Sequence, residues 1–226
     1  MTAVCVAFKT LNKGDESPPG YQYMQCHMIF EIKLDGFRRK ARLVGAGCMV
    51  KDTPAVVTYA SVVSHDTLLI ALTITALNDL EVKASDVMNT FLTAPCVDKI
   101  WTTLGSEFGD DAGKKAIIVR ALYGFKSAGA RFGNHIADCM RLLGYEPCRA
   151  DPDLWFKAQV YPDDDFEYYE YVLLYVEDSL AISHDAMAAL DRMDKFFMMK
   201  KGYIGDPDIY LGSKLRKVQL YNSVFA

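Results

Sequence analysis

The sequence lacks the features that build metal-stapled, membrane-borne or disordered proteins. Its six cysteines, at 5, 26, 48, 96, 139 and 148, include no Cys-x-x-Cys pair, and none of the four histidines flanks them at ligand spacing. A structural zinc is therefore not expected, and reduced intracellular thiols are the default. Long apolar runs are missing too. The most apolar stretch, Leu68 to Leu77, is too short to span a bilayer, and Met1 to Lys9 has neither a basic leader nor a long apolar core. We therefore expect no signal peptide and no membrane contact. Charge of one sign is also scarce: 25 Lys and Arg stand against 29 Asp and Glu, a formal net charge of −4, so any nucleic-acid contact must come from local patches. There is no internal repeat, low-complexity tract or heptad seam. A 51% apolar composition over 226 residues is enough to bury a core in one domain, or in one domain built of two subdomains.

Against that background one acidic pair stands out. In Tyr168-Tyr169-Glu170-Tyr171-Val172-Leu173-Leu174-Tyr175-Val176-Glu177-Asp178-Ser179-Leu180-Ala181-Ile182-Ser183, β-branched and aromatic residues mark strands at 168 to 175 and 179 to 183. Val176, Glu177 and Asp178 then fall at a tight turn, where both acids can project the same way. Like charges held together are relieved most simply by a divalent cation. A solvated hairpin turn is the plain alternative, since turns collect acids. A third acid shifts the balance: a short strand around Leu80 to Ala84 delivers Asp86 at its end, before a break into Asn89 and Thr90. One carboxylate from a strand end and two from a β-turn are the minimum set for holding two Mg²⁺ ions about 3.5 to 4 Å apart. That is the chemistry of polymerase-type phosphoryl transfer.

Along the chain, residues 1 to 20 end in the breaker cluster Lys13 to Gly20 and are expected to form a flexible segment. His27 to Leu34 and Phe37 to Val44 flank Asp35-Gly36, a two-residue hairpin signal. This register puts Glu31, Lys33, Arg38, Lys40 and Arg42 on one face and Phe30, Ile32, Leu34, Phe37 and Leu43 on the other. Ser64 or Asp66 caps a helix running to about Asn78, apolar over most of its surface and so expected to be buried. Ala116 to Arg120 reads as a strand, Ser127 to Leu143 as a helix stopped by Gly144, Ala186 to Met199 as a helix, and Ile209 to Leu215 as a final strand. The order points to an α+β fold, an antiparallel sheet with helices packed on one face. Lys114, Lys115, Lys126 and Arg131 form a second loose basic group. Asp163-Asp164-Asp165 lacks calcium-loop spacing and reads as a solvated turn, and the histidines receive no role.

Several segments in fixed order carry a family resemblance: Lys40-Ala41-Arg42-Leu43-Val44, Thr58 to Ser64, Leu77 to Val82, Asp86 to Pro95, Ala121-Leu122-Tyr123-Gly124-Phe125-Lys126, Ala150 to Leu154, Tyr175-Val176-Glu177-Asp178 and Tyr210-Leu211-Gly212. Through them, residues from about Gly20 to Leu220 resemble the reverse transcriptase of copia-type LTR retrotransposons. The resemblance implies polymerase fingers and palm over 21–220, with thumb, connection and RNase H parts absent. It implies RNA-directed DNA polymerisation with two Mg²⁺ ions, for which Mn²⁺ can substitute. The partners implied are an RNA or DNA template with primer and deoxynucleoside triphosphates, in the cytoplasm (in a virus-like particle) or the nucleus. By resemblance Asp86 is the first metal-binding aspartate, and Glu177 and Asp178 fill the two acid positions of the family's Tyr-x-Asp-Asp hairpin. Phe91 matches the aromatic that packs under the sugar and excludes a 2′-hydroxyl, and Tyr123 belongs to the segment beneath the incoming base. Lys40 and Arg42 would meet triphosphate or template phosphates. Beside the absent thumb, three departures keep a second reading open, that of an inactive remnant or co-opted nucleic-acid-binding protein. They are Glu177 where the family has Asp, Ser127-Ala128-Gly129 where it commonly has Gln-Ser-Pro, and Met88 where it commonly has Lys.

Overall fold

The computed structural model describes residues 6–12, 14–33, 37–51, 60–162, 165–200, 202 and 204–218. The Asp35-Gly36 turn, Thr58 and Tyr59, Asp163 and Asp164, and Leu220 lie outside the described residues. In chain order the elements are β1 (Phe8–Thr10), β2 (Gln22–Tyr23), β3 (Cys26–Lys33), β4 (Arg38–Gly45), α1 (His65–Leu77), β5 (Glu81–Asp86), α2 (Thr90–Thr93), β6 (Ile100–Thr103), β7 (Lys115–Ile118), α3 (Ala128–Leu142), β8 (Glu146–Pro147), β9 (Leu154–Val160), β10 (Glu167–Tyr175), β11 (Asp178–Ser183), α4 (Ala186–Asp194), β12 (Ile209–Tyr210) and β13 (Ser213–Lys214). The chain forms two compact units, one of residues 1–60 and 90–134 and one of 61–89 and 135–226. The fold is α+β, as the sequence implied.

The first unit holds a four-stranded sheet, β1-β7-β6-β2, and the β3–β4 hairpin. Phe8–Thr10 pairs with β7 within the segment expected to be loose. In the hairpin Glu31 faces Lys40 and Lys33 faces Arg38, so the charged face has the expected register. Of the apolar back, Phe30 is 76% exposed, Ile32 62% and Phe37 78%, Leu43 is partly buried, and Leu34 lies outside the described residues. Alternation sets which face a side chain takes, not what covers that face.

The second unit is built on the sheet β5-β11-β10-β9-β8. Helix α1 starts where Ser64 Oγ accepts the Thr67 N–H at 3.1 Å, and Asp151 clamps that start by accepting from Ser64 N–H at 2.9 Å and from Thr67 Oγ1 at 2.6 Å. Leu68 and Ala71 of α1 pack with Leu173, Leu180 and Ile182 on one sheet face. Leu69, Ile70 and Leu77 remain exposed, so the helix is half buried and not wholly so. Arg192 of α4 reaches Glu170. Glu170 and Leu173 point to opposite faces because strand side chains alternate. The expectation of helices on one face is therefore corrected: α1 and α4 cover opposite faces.

Helix α4 ends at Asp194, five residues earlier than its periodicity suggested, and Asp194 Oδ1 accepts the Met199 N–H at 2.8 Å. The released chain serves the outer edge of β5. Met88 N–H donates to Met198 O at 2.7 Å, Met199 bridges Val87, and Lys200 N–H donates to Asp86 O at 2.9 Å. An edge strand carries unpaired backbone groups, and this segment satisfies them. Ile209 to Leu215, read as one strand, is instead the β12–β13 hairpin, turned at Leu211 and Gly212 with positive φ.

Candidate active site

In the second unit, β11 pairs antiparallel with β5 in a register that sets Asp178 directly opposite Asp86. Side chains opposed in this way leave one face together, with Cβ atoms about 4.5–5.5 Å apart. The hairpin between β10 and β11 turns at Val176 and Glu177. Val176 has φ 54°, a conformation that is costly for a β-branched residue and shows the turn to be held by its surroundings. Part of that hold is the Glu177 carbonyl, which accepts the Val87 N–H at 2.8 Å and ties the turn to the residue after Asp86.

A cleft of about 360 Å³ opens beside the pair, lined among others by Asp86, Asp178, Asp206, Asp208 and Tyr210. Its electrostatics are those of several acids partly compensated by two lysines. Burial, then the neighbouring Asp86 and Glu177 carboxylates, push the Asp178 carboxyl above its usual range, against the opposing pull of Lys200. Asp86 forms an ion pair with Lys200 through Oδ2, whereas its Oδ1 is buried without a hydrogen-bond partner among the described residues. Lys83 reaches Asp206 at 2.7 Å. Tyr210, 3% exposed, donates to the Leu173 carbonyl at 3.0 Å, and burial and the nearby acids raise its pKa.

An orphaned carboxylate oxygen, an acid that resists ionisation and hard oxygen donors together suit a divalent cation such as Mg²⁺ or Mn²⁺. Asp86 and Asp178 fit this role. Among the described residues, however, no three His, Cys, Asp or Glu side chains are grouped to hold a metal ion, so the expected trio with Glu177 is not assembled as a cluster.

The four residues expected at the nucleotide come together in the first unit. Arg42 Nη1 meets Glu31 Oε1 at 2.6 Å and Lys40 Nζ lies 3.7 Å from the same oxygen. The Arg42 guanidinium lies over the Tyr123 ring, 5.8 Å from its centroid, and Phe91 meets Tyr123 edge-on at 4.8 Å. Tyr123 is placed by backbone: its carbonyl accepts the Gly45 N–H at 2.8 Å and it bridges Val44. Gly124, at φ +88°, allows the approach, since a Cβ there would strike the Gly45 carbonyl. The second basic group splits. Lys126 and Arg131 line a cleft of about 290 Å³ with Lys51, Lys99 and Asp98, whereas Lys114 is paired with Asp111 at 2.6 Å.

Sequence reasoning missed Lys200, Asp206 and Asp208. Lys200 followed directly on an expected helix end, and the Asp206-Pro207-Asp208 breaker was the only local sign of the other two.

A sheet-end acid pair on an α+β frame defines a class, and residues 15–221 match the family described as reverse transcriptase (RNA-dependent DNA polymerase). The chain belongs to the reverse transcriptase family. More particularly, it is similar to the retrovirus-related Pol polyprotein from transposon TNT 1-94 of Nicotiana tabacum, with 30% identity over 213 residues. The match covers 88% of this chain and 15% of that relative, so the chain spans a small part of the relative's length.

Proposed function

We propose that this domain carries out RNA-directed DNA polymerisation, with the second unit as palm and the first as fingers. The observation that carries the reading is the register of β5 and β11, which opposes Asp86 and Asp178 at the mouth of an acidic cleft. Asp86 and Asp178 would hold the divalent cations, which when bound supply charge stabilisation at the transferring phosphoryl group and lower the pKa of an attacking hydroxyl. Arg42 and Lys40 would bind triphosphate oxygens, the Tyr123 and Phe91 rings would bracket the sugar and base, and Tyr210 would keep the cleft wall rigid through its buried hydrogen bond. Template and primer would follow basic surface such as the cleft of Lys51, Lys99 and Lys126.

A second reading, nucleic-acid binding without turnover, is favoured by Glu177. Glutamate carries its carboxylate one C–C bond, about 1.5 Å, farther than aspartate. Misplacing a reacting group by about 1 Å can cost on the order of a hundredfold in rate. Steady-state primer extension on a homopolymer template with Mg²⁺ and then Mn²⁺ separates the readings. We expect weak extension by the natural sequence, a rise of about ten- to a hundredfold in Glu177→Asp, and none in Asp178→Asn. Extension that survives Asp178→Asn would sink the polymerase reading, and equal robust rates with Glu and Asp at 177 would remove the main support for the inactive one.

A further inference from the structure

The acid pair already has a cation beside it. The position of Lys200 is set by backbone, because its N–H donates to the Asp86 carbonyl at 2.9 Å while Met199 bridges Val87 and Met88 N–H holds Met198 O at 2.7 Å. The lysine therefore starts next to Asp86 whatever its side chain does. Its ammonium closes on Asp86 Oδ2, leaving Oδ1 buried and unpartnered among the described residues. The contact is not sealed: the Lys200 side chain is 36% exposed, so four rotatable carbons can carry the ammonium back to water.

We propose that Lys200 is the resident counter-cation of the acid pair: its ammonium neutralises Asp86 when no divalent ion is held and leaves that carboxylate when one binds. The inference rests on the reading that Asp86 and Asp178 hold divalent cations. Two cations cannot share one small carboxylate without repulsion, so metal uptake is an exchange and not a simple addition. Lys200 thereby stabilises the empty palm and weakens the apparent affinity for metal.

The test is direct Mn²⁺ binding, with free Mn²⁺ counted by its paramagnetic resonance signal, in the natural chain and in Lys200→Met, Lys200→Gln, Lys200→Arg and Asp86→Asn. Removing a half-exposed like charge at contact distance should tighten Mn²⁺ binding on the order of tenfold in the Met and Gln variants. Lys200→Arg, which keeps the charge, should show no tightening. In chelator the neutral variants should melt below the natural chain, and saturating Mn²⁺ should close that gap. Unchanged affinity in both neutral variants, with binding abolished by Asp86→Asn, would overturn the role of Lys200 and leave the acid pair standing. Tightening in Lys200→Arg would also overturn it. Absence of Mn²⁺ binding in every protein would instead remove the acid-pair reading on which the proposal rests.

Discussion

Asp178 shows how a proposed metal-binding role and stability part at a single residue. Burial, Asp86 and Glu177 raise its pKa above the ordinary 3.8, so the folded chain holds this proton more tightly than the unfolded chain does. Its contribution favours folding below about pH 4 and turns unfavourable as pH rises through the raised value. In metal-free buffer Asp178→Asn should therefore melt higher than the natural chain at pH 7 to 8. Solvent screening keeps the gain small. The gain should vanish near pH 4. Calorimetry across that range checks it, and a lower melting point at pH 7 would mean that the carboxylate is compensated by something other than Lys200. Asp86 and Asp178 were legible as acids at strand ends. Lys200 was not, because its local sequence, Met198-Met199-Lys200, runs on from an expected helix end and nothing local announces the edge of β5.

Two devices join the elements. Glu170, 2% exposed, accepts from Tyr145 Oη, Ser183 Oγ and Arg192 Nη2, linking β10, β11, α4 and the segment after α3. Burial, followed by the charge of Glu170, holds the Tyr145 hydroxyl well above its usual range. Glu170→Ala would strand a half-buried guanidinium and two hydroxyls, and urea unfolding should show a loss of about 3 kcal/mol with an unchanged m-value. Glu170→Gln should cost less, about 1–3 kcal/mol, because its amide oxygen still accepts. The second device is the meeting of Gly45, Gly47 and Gly124. Gly124→Ala adds left-handed strain and a Cβ against the Gly45 carbonyl, so stability should fall by about 1–3 kcal/mol. Because Tyr123 is carried by the same backbone, KM for deoxynucleoside triphosphate should rise in that variant, whereas the control Gly14→Ala, which also has positive φ but meets nothing, should leave KM unchanged. Helix α1 and the β10–β11 hairpin were readable from caps and alternation. The early end of α4 was not, since Phe197 keeps the helical period while being buried by other means.

For the whole molecule, the proposed function leaves the balance of charge to decide how nucleic acid would be held. With a net charge of −4, binding must run through patches, and the hairpin patch is partly neutralised by Glu31. Each phosphate contact contributes about 0.7–0.9 to the slope of log affinity against log salt. Lys40→Ala with Arg42→Ala should thus lower the slope by about 1 to 2, while Glu31→Ala, which frees both cations, should tighten binding at low salt. Fluorescence anisotropy with a template-primer duplex measures both. A slope untouched by the double variant would move the binding surface to the cleft of Lys51, Lys99 and Lys126. Among the described residues no helix is long and apolar enough to cross a membrane, and Cys26, Cys48, Cys96, Cys139 and Cys148 are free thiols.

The amino-acid sequence by itself determined the α+β class, the hairpin that carries Glu177 and Asp178, the strand that ends in Asp86 and the charged face of β3 and β4. Each of these follows from periodicity, turn chemistry or capping within a dozen residues. Only the tertiary structure decided that Asp178 stands opposite Asp86, that Arg42, Tyr123 and Phe91 meet, that helices cover both faces of the sheet, and that Lys200 answers Asp86. Those contacts join residues 32 to 114 positions apart, and pairing at such separation is chosen by which distant edge or face still has unpaired backbone groups or unburied apolar surface, a condition no local stretch of sequence records.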